Sequence, residues 1–334
     1  MKVVRLQNLK PYNTFGIKAI AREMFFVDRE TELPLLSSVF RTKEPLIIGS
    51  GSNILFVRNP LQPVIKLNFK GIEILNRTEE FIEVSVKAGT VWDDFVRWTV
   101  ENNIFGVVNL SYIPGTVGAA PVQNIGAYGT EVAEFITKVH FFHIQEQKFI
   151  TLDKEQCQFG YRTSIFKTEL KNKAIITRVD FRLPLKPYYN LNYKDLEHLK
   201  NAKNLSLLTL RLSIGKIRMH KLPDPSIIGN AGSFFKNPII TKEQFNSLKQ
   251  KYPDIPSYPM DGNKIKIPAG WLIDRLGLKG YRSGDAGVYP NNALVLVNYG
   301  NATGKDIFNL AQFIQDKVME HYNIWLLPEV NIIM

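Results

Sequence analysis

Pro45-Leu46-Ile47-Ile48-Gly49-Ser50-Gly51-Ser52-Asn53-Ile54-Leu55-Phe56-Val57 sets a short apolar run, a break of glycine, serine and asparagine, and a second apolar run directly after it. The pattern predicts strand, glycine loop, strand. A Walker loop is excluded because no G-x-x-x-x-G-K-[ST] is present, and the dinucleotide fingerprint fails for want of a third glycine and a following helix. The loop's N–H groups, with serine and asparagine donors beside them, suit a phosphate. They suit a tight β-turn equally, and the spacing does not decide between the two.

Working outward, Phe81 to Val86 alternates apolar and polar residues as a half-buried strand does, and Gly89-Thr90 opens a predicted helix from Val91 to about Asn102, with Thr90 as N-cap and Asp93 near N3. Ile136 to Ile144 and Ala174 to Leu183 are further β-rich runs, and Leu183 to Asp195, with Pro184, Pro187 and three tyrosines, reads as a connection. A helix is expected from about Ser206 to Met219, much of it buried. Composition shifts after Pro223 and Pro225, which puts a domain boundary near 218 to 223. Thr241 to Gln244 reads as a capping box ahead of a helix ending at about Lys251, Gly270 to Leu276 as a short helix, and Thr303 to Tyr322 as a long one with Ile307, Leu310, Ala311, Ile314 and Val318 on one stripe. Ile324 to Leu327 and Val330 to Met334 read as strand. The sum is an α+β architecture of mixed sheets.

Composition sets the outer limits. The chain has 334 residues, 45% hydrophobic and 22% charged, which is a globular balance with room for two or three domains. The single cysteine, Cys157, rules out an internal disulfide or a cysteine metal cluster. Arg5, Lys10 and Pro11 interrupt any apolar leader, so a cytoplasmic protein is expected. Asn102 to Thr130 carries no charge and is long enough for a membrane span, but Pro114, Pro121 and its glycines rule that helix out. It reads as a buried or cofactor-facing loop. The net charge of +11 is dispersed, and the densest basic region, Lys194 to Lys203, also holds Asp195 and Glu197 as a solvated helical face would. Nucleic-acid binding is therefore disfavoured, while anionic small ligands remain suited to the charge. Tyr161-Arg162, Ser233 and Glu329 each have an ordinary surface or turn reading, and their chemistry alone does not group them.

A resemblance does. Asn13-Thr14-Phe15-Gly16, Gly49 to Asn53, Pro114-Gly115-Thr116-Val117-Gly118 with Gln123-Asn124-Ile125-Gly126-Ala127-Tyr128-Gly129, and Tyr161-Arg162-x-Ser164-x-Phe166-Lys167 come first. Lys221-Leu222-Pro223-Asp224-Pro225, Gly229 to Pro238, Ala269 to Asp274 and Pro328-Glu329-Val330 follow in order. Together they resemble the UDP-N-acetylenolpyruvoylglucosamine reductase family over nearly the whole chain. Leu191 to Leu196, with Tyr193, resembles its longer, type I subclass.

The resemblance implies a vanillyl-alcohol-oxidase-type FAD-binding fold of two subdomains, 1–70 and 71–218, plus an α+β substrate-binding domain, 219–323, with a terminal strand at about 324–334 that joins the first. It implies FAD as cofactor, NADPH as reductant, and reduction of UDP-N-acetylglucosamine enolpyruvate to UDP-N-acetylmuramate for peptidoglycan. In that scheme hydride from flavin N5 adds to the terminal enolpyruvyl carbon, Arg162 and Glu329 stabilise the resulting enolate, and Ser233 delivers the proton. Ser50, Gly51, Ser52 and Asn53 would hold the FAD diphosphate. Pro114, Gly115, Thr116, Gly118, Asn124, Gly126, Ala127 and Arg218 would meet the flavin, while Tyr128, Tyr161, Tyr193, Lys221, Asn237 and Asn292 would meet the substrate. Asn292 stands where the family has glutamine, which keeps the amide and shortens its reach. A monomer without metal, membrane or nucleic-acid partner is expected.

Overall fold

The computed structural model describes residues 1–42, 44–202 and 204–334. Lys203, at the end of the basic region singled out above, lies outside them. Six α-helices are present among the described residues: α1 Ser37–Thr42, α2 Trp92–Glu101, α3 Leu207–Lys221, α4 Lys242–Lys251, α5 Ala269–Arg275 and α6 Gly304–Tyr322. None is long and apolar enough to cross a membrane. The chain forms two compact units, each assembled from separate stretches.

The first unit comprises Met1–Gln7, Ala21–Ser50 and Pro60–Arg218. One of its sheets joins Ile20–Val27, Val64–Leu67 and Leu46–Ile48 in parallel, with Lys2–Asn8 at the outer edge. The other is antiparallel, in the order Lys148–Asp153, Ile136–His143, Ala174–Pro184, Phe81–Lys87, Ile72–Arg77. Alternation in Phe81–Lys87 drives Ile82, Val84 and Val86 into a core shared with Val179, Phe181 and Leu183. Helix α2 closes that core, its Phe95 ring centroid 4.9 Å from Phe181. The N-cap of α2 is Val91 and not Thr90, because the Thr90 hydroxyl is drawn away to the backbone N–H of Gly71 at 3.1 Å.

Helix α3 buries Leu207, Leu210 and Ile214 against Leu196, Leu199 and Val108. Contrary to the expected burial, Leu208 and Leu212 on its other face are 57% and 50% exposed. The basic stretch forms a 3-10 helix, Lys194–Asn201, that buries only its two leucines.

The second unit comprises Asn8–Ile20, Gly51–Asn59 and Met219–Met334. The glycine loop at 49–53 thus changes units between Ser50 and Gly51. Its main sheet runs Gly229–Ser233, Val295–Asn298, Ala286–Val288, Arg282–Ser283. A smaller one runs Ile239–Thr241, Lys264–Lys266, Tyr258–Met260. Ile54–Phe56 pairs in parallel with Asn331–Ile333, so the two apolar runs that flank the glycine loop enter different sheets. The carbonyl of Phe15 accepts from Asn298 Nδ2 at 2.9 Å and lies where a Cβ on Gly229 would stand, 2.3 Å away.

Thr303 caps α6 through a reciprocal box with Asp306. Thr241 caps α4 by accepting from Gln244 N–H, but the Gln244 amide turns to the Asn323 carbonyl, so the expected box is half formed. Ile324 to Leu327 is extended without a ladder. Leu326 is fully buried, and its carbonyl accepts from Gln315 Nε2 on α6 at 2.7 Å in place of a strand partner.

Candidate active site

In the first unit the uncharged loop is built on left-handed backbone. Gly115 sits at φ +142°, and a Cβ on Gly118 would stand 2.6 Å from the Ala88 Cβ, a close approach that requires glycine. The Val117 and Gly118 N–H groups donate to the carbonyls of Thr90 and Ala88. Thr116 packs against Gly49, its Oγ1 2.6 Å from where a Gly49 Cβ would be, so the start of the glycine loop and the expected flavin loop meet. Lys66 joins them by donating to the Gly49 carbonyl at 2.7 Å, and burial together with the nearby Lys70 charge lowers its pKa. Sequence reading missed Lys66, because its place beside Gly49 follows from the parallel register Ile48↔Lys66 and from no local motif.

Asn124 is 1% exposed at φ +46°. Its Nδ2 donates to Glu131 Oε2 and to the Gly160 carbonyl, and its Oδ1 accepts from Ala133 N–H. The side chain expected to meet the flavin therefore braces the loop from within. Gly126–Ala127 and Thr130–Glu131 form a hairpin whose two central residues, Tyr128 at φ +50° and Gly129 at φ +80°, match a type I′ turn. Buried Asn109 holds that turn, its Nδ2 donating to the carbonyls of Tyr128 and Asn190 at 2.9 and 2.8 Å. Asn190 in turn donates to Gly129. A lone asparagine inside the apolar run Val107 to Leu110 is the signal that could have revealed this lock.

The Tyr128 and Tyr193 rings meet edge to face at 5.4 Å. Burial pushes the Tyr128 hydroxyl pKa up, against the opposing effect of the nearby Arg218 charge. Burial lowers the Arg218 pKa, offset by the Tyr128 hydroxyl and by the Asp93 charge.

Arg162 stands at φ +54°, a conformation that residues other than glycine and asparagine rarely adopt. A small turn with a Gly160↔Thr163 bridge imposes it. The guanidinium donates to the Gly126 carbonyl at 2.9 Å and lies 5.6 Å from the centroid of the Tyr161 ring. Lys167 Nζ reaches the Arg162 carbonyl and Gln123 Oε1. Ser164, 1% exposed, donates to Val122 and accepts from Phe166 N–H. Arg162, Tyr161, Tyr128, Tyr193 and Arg218 are thus linked to one loop.

In the second unit Ser233 ends its strand after a bulge, where Asn230↔Val297 is followed by Ser233↔Val295 and Gly232 takes φ +69°. Glu329 N–H donates to the Phe234 carbonyl at 2.7 Å, which brings Ser233 and Glu329 to adjoining backbone. Asn53 Nδ2 donates to the Glu329 carbonyl at 3.4 Å, tying the glycine loop to the same place. Asn237 Oδ1 accepts from Ala269 N–H at the start of α5, 32 positions on, and Asn292 Oδ1 from Leu294 N–H within its own turn. Lys221 ends α3. The three residues expected to be catalytic are divided, Arg162 in the first unit and Ser233 with Glu329 in the second.

The donor set fits FAD. Within the first unit, Ser50 and Lys66 offer hydroxyl and cationic groups for a diphosphate, and 114 to 129 offers uncharged, glycine-bearing backbone for a large flat ring system. Among the described residues no cluster of His, Cys, Asp or Glu suits a metal ion.

Comparison with known proteins identifies the family. Residues 40–145 match the model of an FAD binding domain, and residues 224–333 match that of the UDP-N-acetylenolpyruvoylglucosamine reductase C-terminal domain. The UDP-N-acetylenolpyruvoylglucosamine reductase of Flavobacterium johnsoniae is 43% identical over 98% of both chains. That of Porphyromonas gingivalis is 44% identical, also over 98% of both. The crystal structure of the Thermus caldophilus UDP-N-acetylenolpyruvylglucosamine reductase superposes with a TM-score of 0.66 at 25% identity, covering 99% of this chain and 98% of that one. The α+β, FAD-binding fold expected from sequence is therefore the one present. With full-length relatives this similar and residues 40–145 and 224–333 each matched by a model, the chain is a member of the UDP-N-acetylenolpyruvoylglucosamine reductase family.

Proposed function

We propose that this protein reduces UDP-N-acetylglucosamine enolpyruvate to UDP-N-acetylmuramate with NADPH, as a cytoplasmic monomer supplying peptidoglycan synthesis. The observation that carries the reading is the Glu329 to Phe234 hydrogen bond, which sets Ser233 beside Glu329 from 96 positions away in a chain related to these reductases over its full length. Bound FAD supplies the two-electron exchange between NADPH and the terminal enolpyruvyl carbon.

The remaining work falls to the chain. Charge builds on the substrate carboxylate as the double bond is reduced, and a guanidinium can meet both carboxylate oxygens at once. Arg162 takes that role with Glu329. The rigid backbone around Arg162 limits the reorganisation needed when the charge develops. Ser233 donates its hydroxyl proton to the carbon next to the carboxylate, and Lys221 and Asn237 offset the alkoxide left behind. Tyr193 and Lys221 hold the substrate diphosphate, with Tyr128, Tyr161 and Asn292 as further contacts. Ser50 to Asn53 hold the FAD diphosphate. Pro114, Gly115, Thr116, Gly118, Asn124, Gly126, Ala127 and Arg218 border the flavin, Asn124 through its backbone. We read 1–70 and 71–218 as the FAD-binding subdomains and 219–323 as the substrate-binding domain.

The visible spectrum of the purified protein tests this. Flavin bands that bleach with NADPH and return anaerobically with the enolpyruvyl sugar nucleotide are expected. A protein that stays colourless with added FAD, or that bleaches and is not reoxidised by that substrate, would overturn the reading.

A further inference from the structure

Helix α3 carries Arg211 and Arg218 two turns apart on one face. The Arg218 charge acts on the Tyr128 hydroxyl at the expected flavin loop. Arg211 belongs to a second cluster that the proposed reaction does not use. It is 7% exposed and meets Asp93 with both prongs, NH1 to Oδ1 at 2.8 Å and NH2 to Oδ2 at 2.7 Å. Asp93 Oδ1 also accepts the Tyr112 N–H at 2.6 Å. The Arg211 guanidinium lies 4.3 Å from the centroid of the Tyr112 ring. The edge of that ring lies against Gly215, where a Cβ would come within 2.8 Å of Tyr112 Cε2.

Three features here run against local preference: a buried arginine paired with a partly exposed aspartate, a tyrosine at φ +59°, and a glycine inside a helix. Apolar packing would secure α3 without any of them. What a two-pronged pair adds is direction, since it is satisfied at only one rotation and one axial position of the helix. Both are inherited by Arg218 two turns on.

We propose that Asp93, Tyr112 and Arg211 form a clamp of positioning residues that fixes the rotation and axial position of α3, and with it the place of Arg218 beside Tyr128 at the flavin. The inference rests on the reading of Arg218 as a flavin contact. Asp93 also acts on Arg218 through its charge, so its removal is felt at the flavin by two routes, and Arg211 gives the cleaner probe.

The test uses the FAD-loaded enzyme and compares Arg211→Met, Arg211→Lys, Arg218→Met and the Arg211→Met/Arg218→Met double variant by flavin midpoint potential, visible spectrum, turnover and thermal midpoint. Loss of a nearby cation makes the flavin harder to reduce, so Arg218→Met is expected to lower its potential. Arg211→Met is expected to lower it in the same direction, cutting turnover by about tenfold or more while the substrate KM stays within about twofold. In the double variant the Arg211 effect on potential vanishes, because it acts through Arg218. Arg211→Lys keeps the charge without the fork and falls between the wild type and Arg211→Met, and it replaces Arg211→Met as the probe should the latter not fold. An Arg211 variant that melts earlier with potential and spectrum unchanged, while Arg218→Met shifts both, would overturn the clamp alone. An unchanged potential in Arg218→Met would overturn the reading of Arg218 and the clamp with it.

Discussion

Replacing Arg162 by glycine and, in parallel, by alanine separates what its backbone costs from what its side chain does. At φ +54° an L residue is disfavoured by about 1 to 2 kcal/mol relative to its usual conformations, a cost that glycine escapes and alanine does not. Glycine loses more chain entropy on folding, about 0.5 to 1 kcal/mol. Both variants give up the bond to the Gly126 carbonyl, worth about 1 kcal/mol. The side-chain losses cancel in the comparison, so Arg162→Gly is expected to be about 0.5 to 1 kcal/mol more stable than Arg162→Ala, roughly 0.7 to 1.4 °C in melting temperature for a chain of this size. Arg162→Gly should lie within about 1 kcal/mol of the wild type, because relief of strain offsets the lost bond. Turnover should fall about 100-fold or more in both, since neither retains a cation for the developing charge. Thermal melts and anaerobic NADPH turnover with the sugar nucleotide measure the two quantities separately. An alanine variant as stable as the glycine variant would refute the strain argument. Retained turnover in either would remove Arg162 from the proposed chemistry.

Ser233→Ala keeps the strand and should retain the flavin and its bleaching by NADPH, with substrate-driven reoxidation slowed about 1000-fold or more; normal reoxidation would exclude Ser233 as proton donor. Burial pushes the Cys157 thiol up to about 12, so a thiol reagent at about pH 8 should label it only after denaturation, and rapid labelling of the folded protein would contradict that burial. Glu32 is held down to about 2 by the Met1 ammonium first and by the Asp28 and Arg29 N–H groups after it. Its contribution is therefore complete above its ordinary value of 4.5 and is lost as pH falls from there towards 2. The melting temperature of Glu32→Gln should accordingly fall less steeply over that range than that of the wild type, and parallel curves would refute the assignment. Gly51→Ala adds a Cβ 1.9 Å from the Tyr12 carbonyl at φ +64°, and a loss of about 3 kcal/mol in chemical denaturation, with reduced flavin content, is expected. A melt unchanged from the wild type would show that the turn opens freely.

Features set by neighbours in sequence can be read from the order of the residues. The Thr303 cap, the apolar stripe of α6 and the strands at Phe81–Lys87 and Ala174–Pro184 follow from spacing alone. Features set by partners far along the chain cannot. Thr90 reads as a helix cap until Gly71, 19 residues earlier, takes its hydroxyl. Ile324 to Leu327 is apolar throughout and reads as strand, but Gln315 from α6 occupies its buried carbonyl. Of the site, the motif residues could be named only through resemblance, because Glu329 reaches Ser233 through the Phe234 carbonyl and Asn109 reaches Asn190 across 81 positions. No residue pattern encodes such a meeting. Lys66 belongs to no motif, Asn109 stands out only as a lone polar residue in an apolar run, and Asp93 only as an acid in the first turn of a helix; the partners of all three exist only in three dimensions.

The pairing of Ile54–Phe56 with Asn331–Ile333 has a consequence for how the protein is made. Asn331 Nδ2 donates to the Asn53 carbonyl across 278 positions of chain. At about 5 to 20 residues per second, the ribosome leaves the buried strand Ile54–Phe56 without its mate for roughly 14 to 56 seconds after it is synthesised. The first unit, whose last residue is Arg218, can condense during that interval. The second cannot, because two of its three pieces are made early and must wait for the third. The nascent chain therefore exposes an apolar edge for most of its synthesis, and yield in cells should depend more on chaperone supply and elongation rate than the stability of the finished fold would suggest.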